Sequence, residues 1–485
     1  MSQDQRRIII DRRPMMVLIL ERLRRQLWLG LVFGIFALLI TQSAPDGLAE
    51  EGWSTLCIFG LCVTLWATSL LPLAVTSLLA MAFIPLFDVM EPTQAYRYFG
   101  SKVVFFILGA FMLSAALTTS GLSKRVATVI VERFGTSPRQ LIMAVFLMSA
   151  AGATVMSSHA VAAMVFPIVV DIARSLKLRP LRSKMGMALF FALAWGCIIG
   201  GSLTILGGGR GPLAIGLLEE ATLDSSTGIS QTIGFTEYIE FGVPMVVLML
   251  LVGAIILLRN FKPEIESTDA ARVELAQKLH RMGKMTVKER VVGLVVLVTV
   301  ALWIFAGDSL GIANIAICSI GLLFVFGTIT WREVEDNINW GVIVMYGGAI
   351  CLGGAMDASG AAGWLTSLVM DLTDSPTVLM LIVVVLSAGL TEFMSNSAVI
   401  AMLMPPALAL AEAHGIDVKA MTMAVVLPSN FAFMFPVSTP VTAIAWSAGY
   451  YTPGKVASTG LLLHGFGLLC MCLLIFWWWP LLGIL

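Results

Sequence analysis

Charge is scarce in this chain. Asp, Glu, Lys and Arg make up 12% of its residues against 58% hydrophobic, and mean hydropathy is +0.92. A water-soluble fold cannot bury that much apolar surface, so the composition excludes a soluble enzyme or binding module and leaves a polytopic membrane protein. Lys plus Arg and Asp plus Glu number 30 each, so no excess of one sign marks a nucleic-acid partner. The seven cysteines all fall in apolar segments, where they read as small core residues rather than disulfide partners. No phosphate-cradling glycine loop with its Lys, no His/Glu zinc pattern and no nucleophile elbow occurs, so an enzyme is not expected. A cleavable signal peptide is not expected either; RRIIIDRRPMMVLILERLRRQ reads as a basic, part-amphipathic segment on the cytoplasmic surface before the first span.

What the chain has is apolar runs. Those long enough to cross a bilayer fall near 27–43, 53–70, 73–88, 102–122, 187–217, 236–258, 291–307, 311–329, 339–370, 418–449 and 456–484, about eleven in all. Two more, 138–173 and 377–412, carry a polar triplet mid-run: Ser157-Ser158-His159 in the first, Ser395-Asn396-Ser397 in the second. Lys and Arg cluster in the N-terminal segment, at Lys124 to Arg139, at Arg174 to Lys184 and through 259–290. They are missing from 218–235, which holds Glu219, Glu220 and Asp224, and from 371–376, which holds Asp371 and Asp374. Placing the basic loops in the cytoplasm makes 138–173 begin and end inside, and 377–412 begin and end outside. Each is therefore expected to be a re-entrant hairpin with its triplet at the tip, where polar backbone is tolerated only against protein or a water-filled cavity.

The duplication extends further. Segment 103–122 parallels 340–360, and each hairpin is followed by a helix interrupted by Gly or Pro: GGSLTILGGGRGPLAI at 200–215 and FAFMFPVSTPVTAI at 431–444. Such interruptions free backbone carbonyls and amides from helical bonding. Two halves of opposite topology, each with a hairpin and a broken helix, predict an all-α, inverted-repeat secondary transporter with its site between the repeats near the midplane.

At these residues the sequence resembles the divalent anion/sodium symporter family, the dicarboxylate, citrate and sulfate carriers of the ion transporter superfamily. The second tip, Ser395-Asn396-Ser397 after Thr391-Glu392-Phe393, and the second interruption, Ser438-Thr439-Pro440-Val441-Thr442, carry the likeness, which runs in segment order from about residue 50. The resemblance implies an elevator-type carrier in the inner membrane, N-terminus cytoplasmic, working as a homodimer. Its parts would be a cytoplasmic segment 1–26, a scaffold of 27–133 and 291–372, a cytoplasmic loop 259–290, and transport parts 138–258 (hairpin 138–173, broken helix 187–217) and 377–485 (hairpin 377–412, broken helix 418–449). It also implies sodium as coupling ion. The first half departs from the family: Ser158 stands for the family Asn, His159 and Arg210 for Thr, and Leu213 for Asn.

The candidate substrate-binding residues are Ser157, Ser158, His159, Arg210, Ser395, Asn396, Ser397 and Thr439. Sodium ligands are expected at Ser395, Asn396, Ser438 and Pro440, an oxygen-rich set that suits a hard cation. The same hydroxyls and amide also suit plain helix–helix bonding. His159 reads either as a satisfied core histidine or as a site residue; Arg210 either snorkels or binds anion, its planar fork matching carboxylate and sulfate. On the second reading, His159 and Arg210 put fixed charge where the family's first sodium sits, and fewer sodium sites are expected. Glu392 reads as a structural partner of the hairpin or as a group tuning ion affinity, and Trp477 to Trp479 as an interfacial belt. The alternative class, a cation/proton antiporter of related architecture, would want paired mid-membrane carboxylates where this chain has Arg210.

Overall fold

The computed structural model describes residues 15–223, 230–369, 375–436 and 438–484. Asp224, Asp371 and Asp374, along with residues 1–14 of the basic N-terminal segment, lie outside the described residues. No strand occurs among the described residues. In chain order the helices are α1 (Met15–Ile40), α2 (Glu50–Thr68), α3 (Leu73–Leu86), α4 (Pro92–Arg97), α5 (Lys102–Ser120), α6 (Leu122–Phe134), α7 (Pro138–Val155), α8 (Ser158–Ser175), α9 (Lys184–Gly200), α10 (Arg210–Ala221), α11 (Phe235–Asn260) and α12 (Asp269–Met282). There follow α13 (Val287–Leu310), α14 (Ile312–Val325), α15 (Trp331–Asn337), α16 (Trp340–Ala358), α17 (Ala361–Val369), α18 (Pro376–Leu390), α19 (Asn396–Ala413), α20 (Val418–Val426), α21 (Pro440–Ser447), α22 (Pro453–Leu473) and α23 (Trp479–Leu481).

Local chemistry sets the breaks. Ser137 caps α7, its hydroxyl accepting from the Gln140 amide with Pro138 in the first helical position. Ser157 and Ser395 cap α8 and α19 in the same way, accepting from Ala160 and Ala398. The connection between α7 and α8 is thus two residues, Met156 and Ser157, and that between α18 and α19 is Thr391 to Ser395. The run 339–370 is not one helix: Gly360, at φ 71°, separates α16 from α17. Among the described residues nine helices are long and apolar enough to cross a membrane. Six of these lie in the eleven expected runs and three, α7, α8 and α19, in the triplet-bearing stretches; the runs at 73–88, 187–217, 311–329 and 418–449 are built from helices of 17 residues or fewer.

Lipid is as apolar as leucine, so helices in a membrane associate through close packing at small residues. The seam between α7 and α9 shows this most clearly. A Cβ on Gly196 would lie 2.4 Å from the Phe146 carbonyl oxygen, and one on Gly200 2.1 Å from that of Ala150, so the two backbones touch at points one turn apart on both helices. Helix α16 meets α3 likewise: a Cβ on Gly348 would lie 2.4 Å from the Ser77 oxygen. By contrast α10 meets α5 and α16 through side chains, with Gly216 under Ile350 and Val103 and Leu217 against Gly353. Helix α12 spans α6 and α8; Lys278 pairs with Asp171 at 2.7 Å and the Thr268 hydroxyl donates to Gly135 O at 2.9 Å.

The C-terminal tryptophans do not form one belt. Trp477 is exposed, but Trp478 donates to Glu240 O, and Trp479 is fully buried, donating to Phe241 O at 3.2 Å and meeting the Phe241 ring edge-on. They join α22 to α11, a packing role that the sequence pattern of three aromatics at a chain end does not reveal.

Candidate functional site

The first tip is tied to the gap between α9 and α10. The Ser158 amide donates to Gly207 O at 3.0 Å, and its hydroxyl lies 2.8 Å from Gly207 O and 2.9 Å from Cys197 O, one hydrogen facing two acceptors. Thr204 returns the link, its hydroxyl donating to Thr154 O at 2.6 Å. The gap is folded tightly: a Cβ on Gly207 would lie 2.2 Å from Gly201 O, which is why glycine stands there.

Arg210, the first residue of α10, is 5% exposed. One Nη donates to Gly201 O, a carbonyl released by the break, while Nε is buried with no partner. No carboxylate pairs with this guanidinium among the described residues. Its place at a helix N-terminus adds the positive end of the α10 dipole to its own charge. The Tyr346 hydroxyl, on α16, is also buried; it abuts Gly209, where a Cβ would lie 1.7 Å from it, and faces Ser397 of the second tip. A buried unmet donor costs ~1–3 kcal/mol, a cost that an anion taking a hydrogen bond from Arg210 Nε would relieve.

The second tip is held by a chain of polar groups. Asn430, 3% exposed in the turn after α20, directs Nδ2 at Ile198 O (2.5 Å) and Ser202 Oγ (2.7 Å). A carbonyl only accepts, so that end of the amide is the donor and Oδ1 faces Asn396, whose Nδ2 donates to it at 3.0 Å. Asn396 Oδ1 then faces the Thr391 hydroxyl at 2.9 Å, and that same hydroxyl lies 2.5 Å from Ser429 O. Thr391 has one hydrogen for these two acceptors. The corner therefore keeps oxygen lone pairs, from Asn396, Ser429 and Thr391, of the kind a hard cation takes.

Glu392 shapes the backbone beside it. Its buried carboxylate accepts from the amides of Phe433 (2.9 Å), Met434 (3.0 and 3.1 Å) and Phe435 (3.3 Å), all in the non-helical stretch between Asn430 and α21, and from His464 Nδ1 at 3.1 Å. Of the two roles open to Glu392 in the sequence, the hydrogen bonds display the structural one.

A cavity of about 590 Å³ joins the two halves. Ser157, His159 and Ser397 from the tips, Gly208 and Gly209 from the first gap, and Ile444 from α21 line one side; Ser114, Thr118, Lys124, Asn337 and Asn339 line the other. It runs from the tips along Ala160, Ala163 and Pro167 of α8 toward Lys124. Of the residues singled out in the sequence, Ser157, His159 and Ser397 thus meet in the cavity, and the Arg210 guanidinium lies against its Gly208, where a Cβ would be 2.9 Å from an Arg210 Nη. Ser158 and Asn396 are turned into the polar packing. Thr439 caps α21 together with Thr442, Ser438 donates to Phe435 O at 2.6 Å, Ser395 caps α19, and Pro440 opens α21, exposed. No hydrogen bond among the described residues brings Ser438 or Pro440 to the second tip. Tyr346, Ser202 and Asn430 go unremarked in the sequence analysis, and Thr391 enters it only as part of the family likeness, without a site role. The signal was there for Asn430 and Tyr346, polar residues inside apolar runs, and for Thr391 in its place four residues before the tip.

Lys102 at the start of α5 pairs with Glu219, near the end of α10, at 3.0 Å.

Comparison with known proteins gives a consistent picture. The model for the sodium:sulfate symporter transmembrane region matches residues 25–485. A protein named sodium-dependent dicarboxylate transporter SdcS, from Staphylococcus saprophyticus, is 28% identical over 480 residues, 93% of this chain and 91% of that protein. Its Staphylococcus aureus counterpart is 27% identical over 488 residues, 94% and 92% of the two chains. Among solved structures, the Alcanivorax borkumensis YdaH transporter is similar with a TM-score of 0.58 at 18% identity, covering 89% of this chain and 98% of that one. Neisseria gonorrhoeae MtrF gives 0.56 at 15% identity, over 79% and 82%. At such identities these two structures speak to the fold alone.

Proposed function

The chain belongs to the sodium:sulfate symporter family, and from that premise we propose that it is a secondary transporter of small divalent anions, dicarboxylate, tricarboxylate or sulfate, with fewer coupling sodium ions than its relatives. The observation that carries the reading is Arg210: a buried guanidinium with no carboxylate partner among the described residues, bonded to a carbonyl that the broken helix frees, beside a cavity shared by both tips. Where a family member would place a sodium against freed carbonyls, Arg210 supplies fixed positive charge. A dianion lodged at the tips would meet Arg210, the α10 N-terminus and the hydroxyls of Ser157, Tyr346 and Ser397. His159 stands at the cavity surface to add a donor or a charge. Sodium, as co-transported substrate, would take the oxygen-rich corner of Asn396, Thr391 and Ser429, which replaces Ser438 and Pro440 in the set read from the sequence. The relatives' name supports a sodium-coupled dicarboxylate as the first substrate to try.

In this reading the hairpins are re-entrant and, with the basic loops in the cytoplasm, Lys124 lies on the inner side of the cavity and the Lys102–Glu219 pair on the outer side of the membrane. Transport is then an elevator movement of α7 to α11 and α18 to α23 against a scaffold of the remaining spans, paired as a homodimer in the inner membrane; full transport by a reconstituted monomer would count against the dimer. The decisive experiment is counterflow of labelled succinate, citrate and sulfate in proteoliposomes, with sodium and with choline in its place. Uptake of none of the three sinks the reading; uptake with a steep, multi-ion sodium dependence sinks its fixed-charge part.

A further inference from the structure

We infer that Asn430 is the positioning residue through which cation occupancy at the second tip is felt at the anion site behind the first. The inference rests on the reading that this chain moves an anion together with a cation. Asn430 hydrogen-bonds both halves at once, at the level of the tips. Its Oδ1 takes Asn396 Nδ2, from the tip whose other amide atom faces the cation corner. Its Nδ2 bonds Ile198 O and Ser202 Oγ, at the point where α9 ends. Ser202 follows Gly201 directly, and Gly201 O is the acceptor of Arg210. A continuous path of three residues therefore runs from the cation corner to the acceptor of the buried guanidinium, crossing from the second repeat to the first.

The chemistry gives that path two arrangements rather than a continuum. All the polar atoms of the Asn430 amide are engaged, and the residue is 3% exposed, so no water stands ready to replace a lost partner. A cation on Asn396 Oδ1 draws that amide toward itself and polarises its N–H groups, which strengthens the bond to Asn430 and fixes the end of α9. Without the cation, the Thr391 hydrogen is divided between Asn396 Oδ1 and Ser429 O, and the amide is less firmly oriented. The end of α9 is where the Gly201 carbonyl gets its direction, and with it the guanidinium. Occupancy at one half-site is thereby converted into geometry at the other, and by thermodynamic reciprocity the anion must favour the cation equally.

A residue that only glues two helices together would weaken both sites alike. A coupling residue changes their ratio, so the test reads the ratio. Binding of sulfate and of succinate to purified protein is measured by calorimetry at zero and at saturating sodium, with choline holding ionic strength constant, in wild type, Asn430→Ala and Ser202→Ala. Sodium is expected to tighten anion binding in wild type by roughly 5- to 150-fold, the usual span of such couplings. In Asn430→Ala the ratio is expected to fall to within about twofold of unity whatever the absolute affinities do, and in Ser202→Ala, where Asn430 keeps Ile198 O, to an intermediate value. If Asn430→Ala does not fold, Ser202→Ala decides on the same ratio. A wild-type ratio preserved in the variants, with or without weaker binding, overturns the inference. A wild type that binds anion without any sodium effect also overturns it while leaving the anion-carrier reading intact; a wild type that binds no anion overturns that reading instead.

Discussion

Replacing Arg210 with methionine, similar in length but uncharged, should weaken anion binding sharply while leaving the empty protein as stable as before or more so. The two effects come from different sides of the same geometry. Among the described residues the guanidinium has one hydrogen bond, to Gly201 O, an unmet Nε, no carboxylate partner, and a position at the positive end of α10. Methionine strands the Gly201 carbonyl, at ~1–3 kcal/mol, but removes an unmet buried donor of similar cost and a helix-end repulsion of ~0.3–1 kcal/mol. Loss of an unpaired buried charge adds to the favourable side, so the balance lies at zero or toward stabilisation. Anion binding loses a desolvated charge-assisted pair, ~2–5 kcal/mol, which is roughly 30-fold to several-thousand-fold in affinity. The assay is thermal unfolding of the detergent-solubilised protein with and without sulfate or succinate, alongside calorimetric titration. Wild type should gain thermal stability from the anion and the variant should not. A variant that is markedly less stable when empty, yet binds anion as wild type does, would refute the reasoning and make Arg210 a structural residue.

Asn396→Ala removes both the cation corner's amide oxygen and the donor to Asn430; transport should be abolished with the protein still folded, and near-normal uptake would show the corner to be helix glue. Glu392→Ala should destabilise by roughly 3 kcal/mol or more, because the amides of Phe433, Met434 and Phe435 lose their acceptor in a buried place; faster protease cleavage within 431–439 is the measurement, and unchanged cleavage contradicts the structural role. Cysteines introduced in the α8–α9 connection, 178–183, and beside Ser375 should label from opposite faces of the membrane, whereas labelling from one face would end the inverted-repeat topology.

The places where this architecture was legible in the sequence are those where backbone chemistry is punctuated. Ser157 and Ser395 write helix starts in the middle of apolar runs, and the glycines at 207–209 and the prolines at 436 and 440 write gaps; α8, α19, α10 and α21 begin or break beside them. Arg210 was legible because a charge in an apolar run has few explanations. What could not be read was pairing across the repeats. Asn430 and Ser202 lie 228 residues apart, and nothing in either neighbourhood names the other. Thr439 was read as a ligand from its motif, but a threonine before a proline is equally a helix cap, and local hydrogen bonding to Thr442 is the geometry displayed. Three tryptophans near a chain end look alike on paper, whereas burial separates Trp479 from Trp477.

The seam between α7 and α9 has a mechanical consequence. Gly196 on Phe146 and Gly200 on Ala150 form two notches at the same one-turn pitch, and a notch admits no slip: Ala192, one turn before Gly196, brought onto Phe146 by a one-turn ratchet would push a side chain into backbone. Hairpin and broken helix are thereby welded, and the Gly348–Ser77 contact welds α16 to α3 in the same manner. The α10 contacts with α5 and α16 are different, branched side chains lying over smooth small residues, with the tolerance of a bearing rather than a joint. Stiffness is thus distributed unequally through the molecule, and the direction of least resistance to shear is written in which seams are cut in glycine backbone and which are lubricated by valine, leucine and isoleucine.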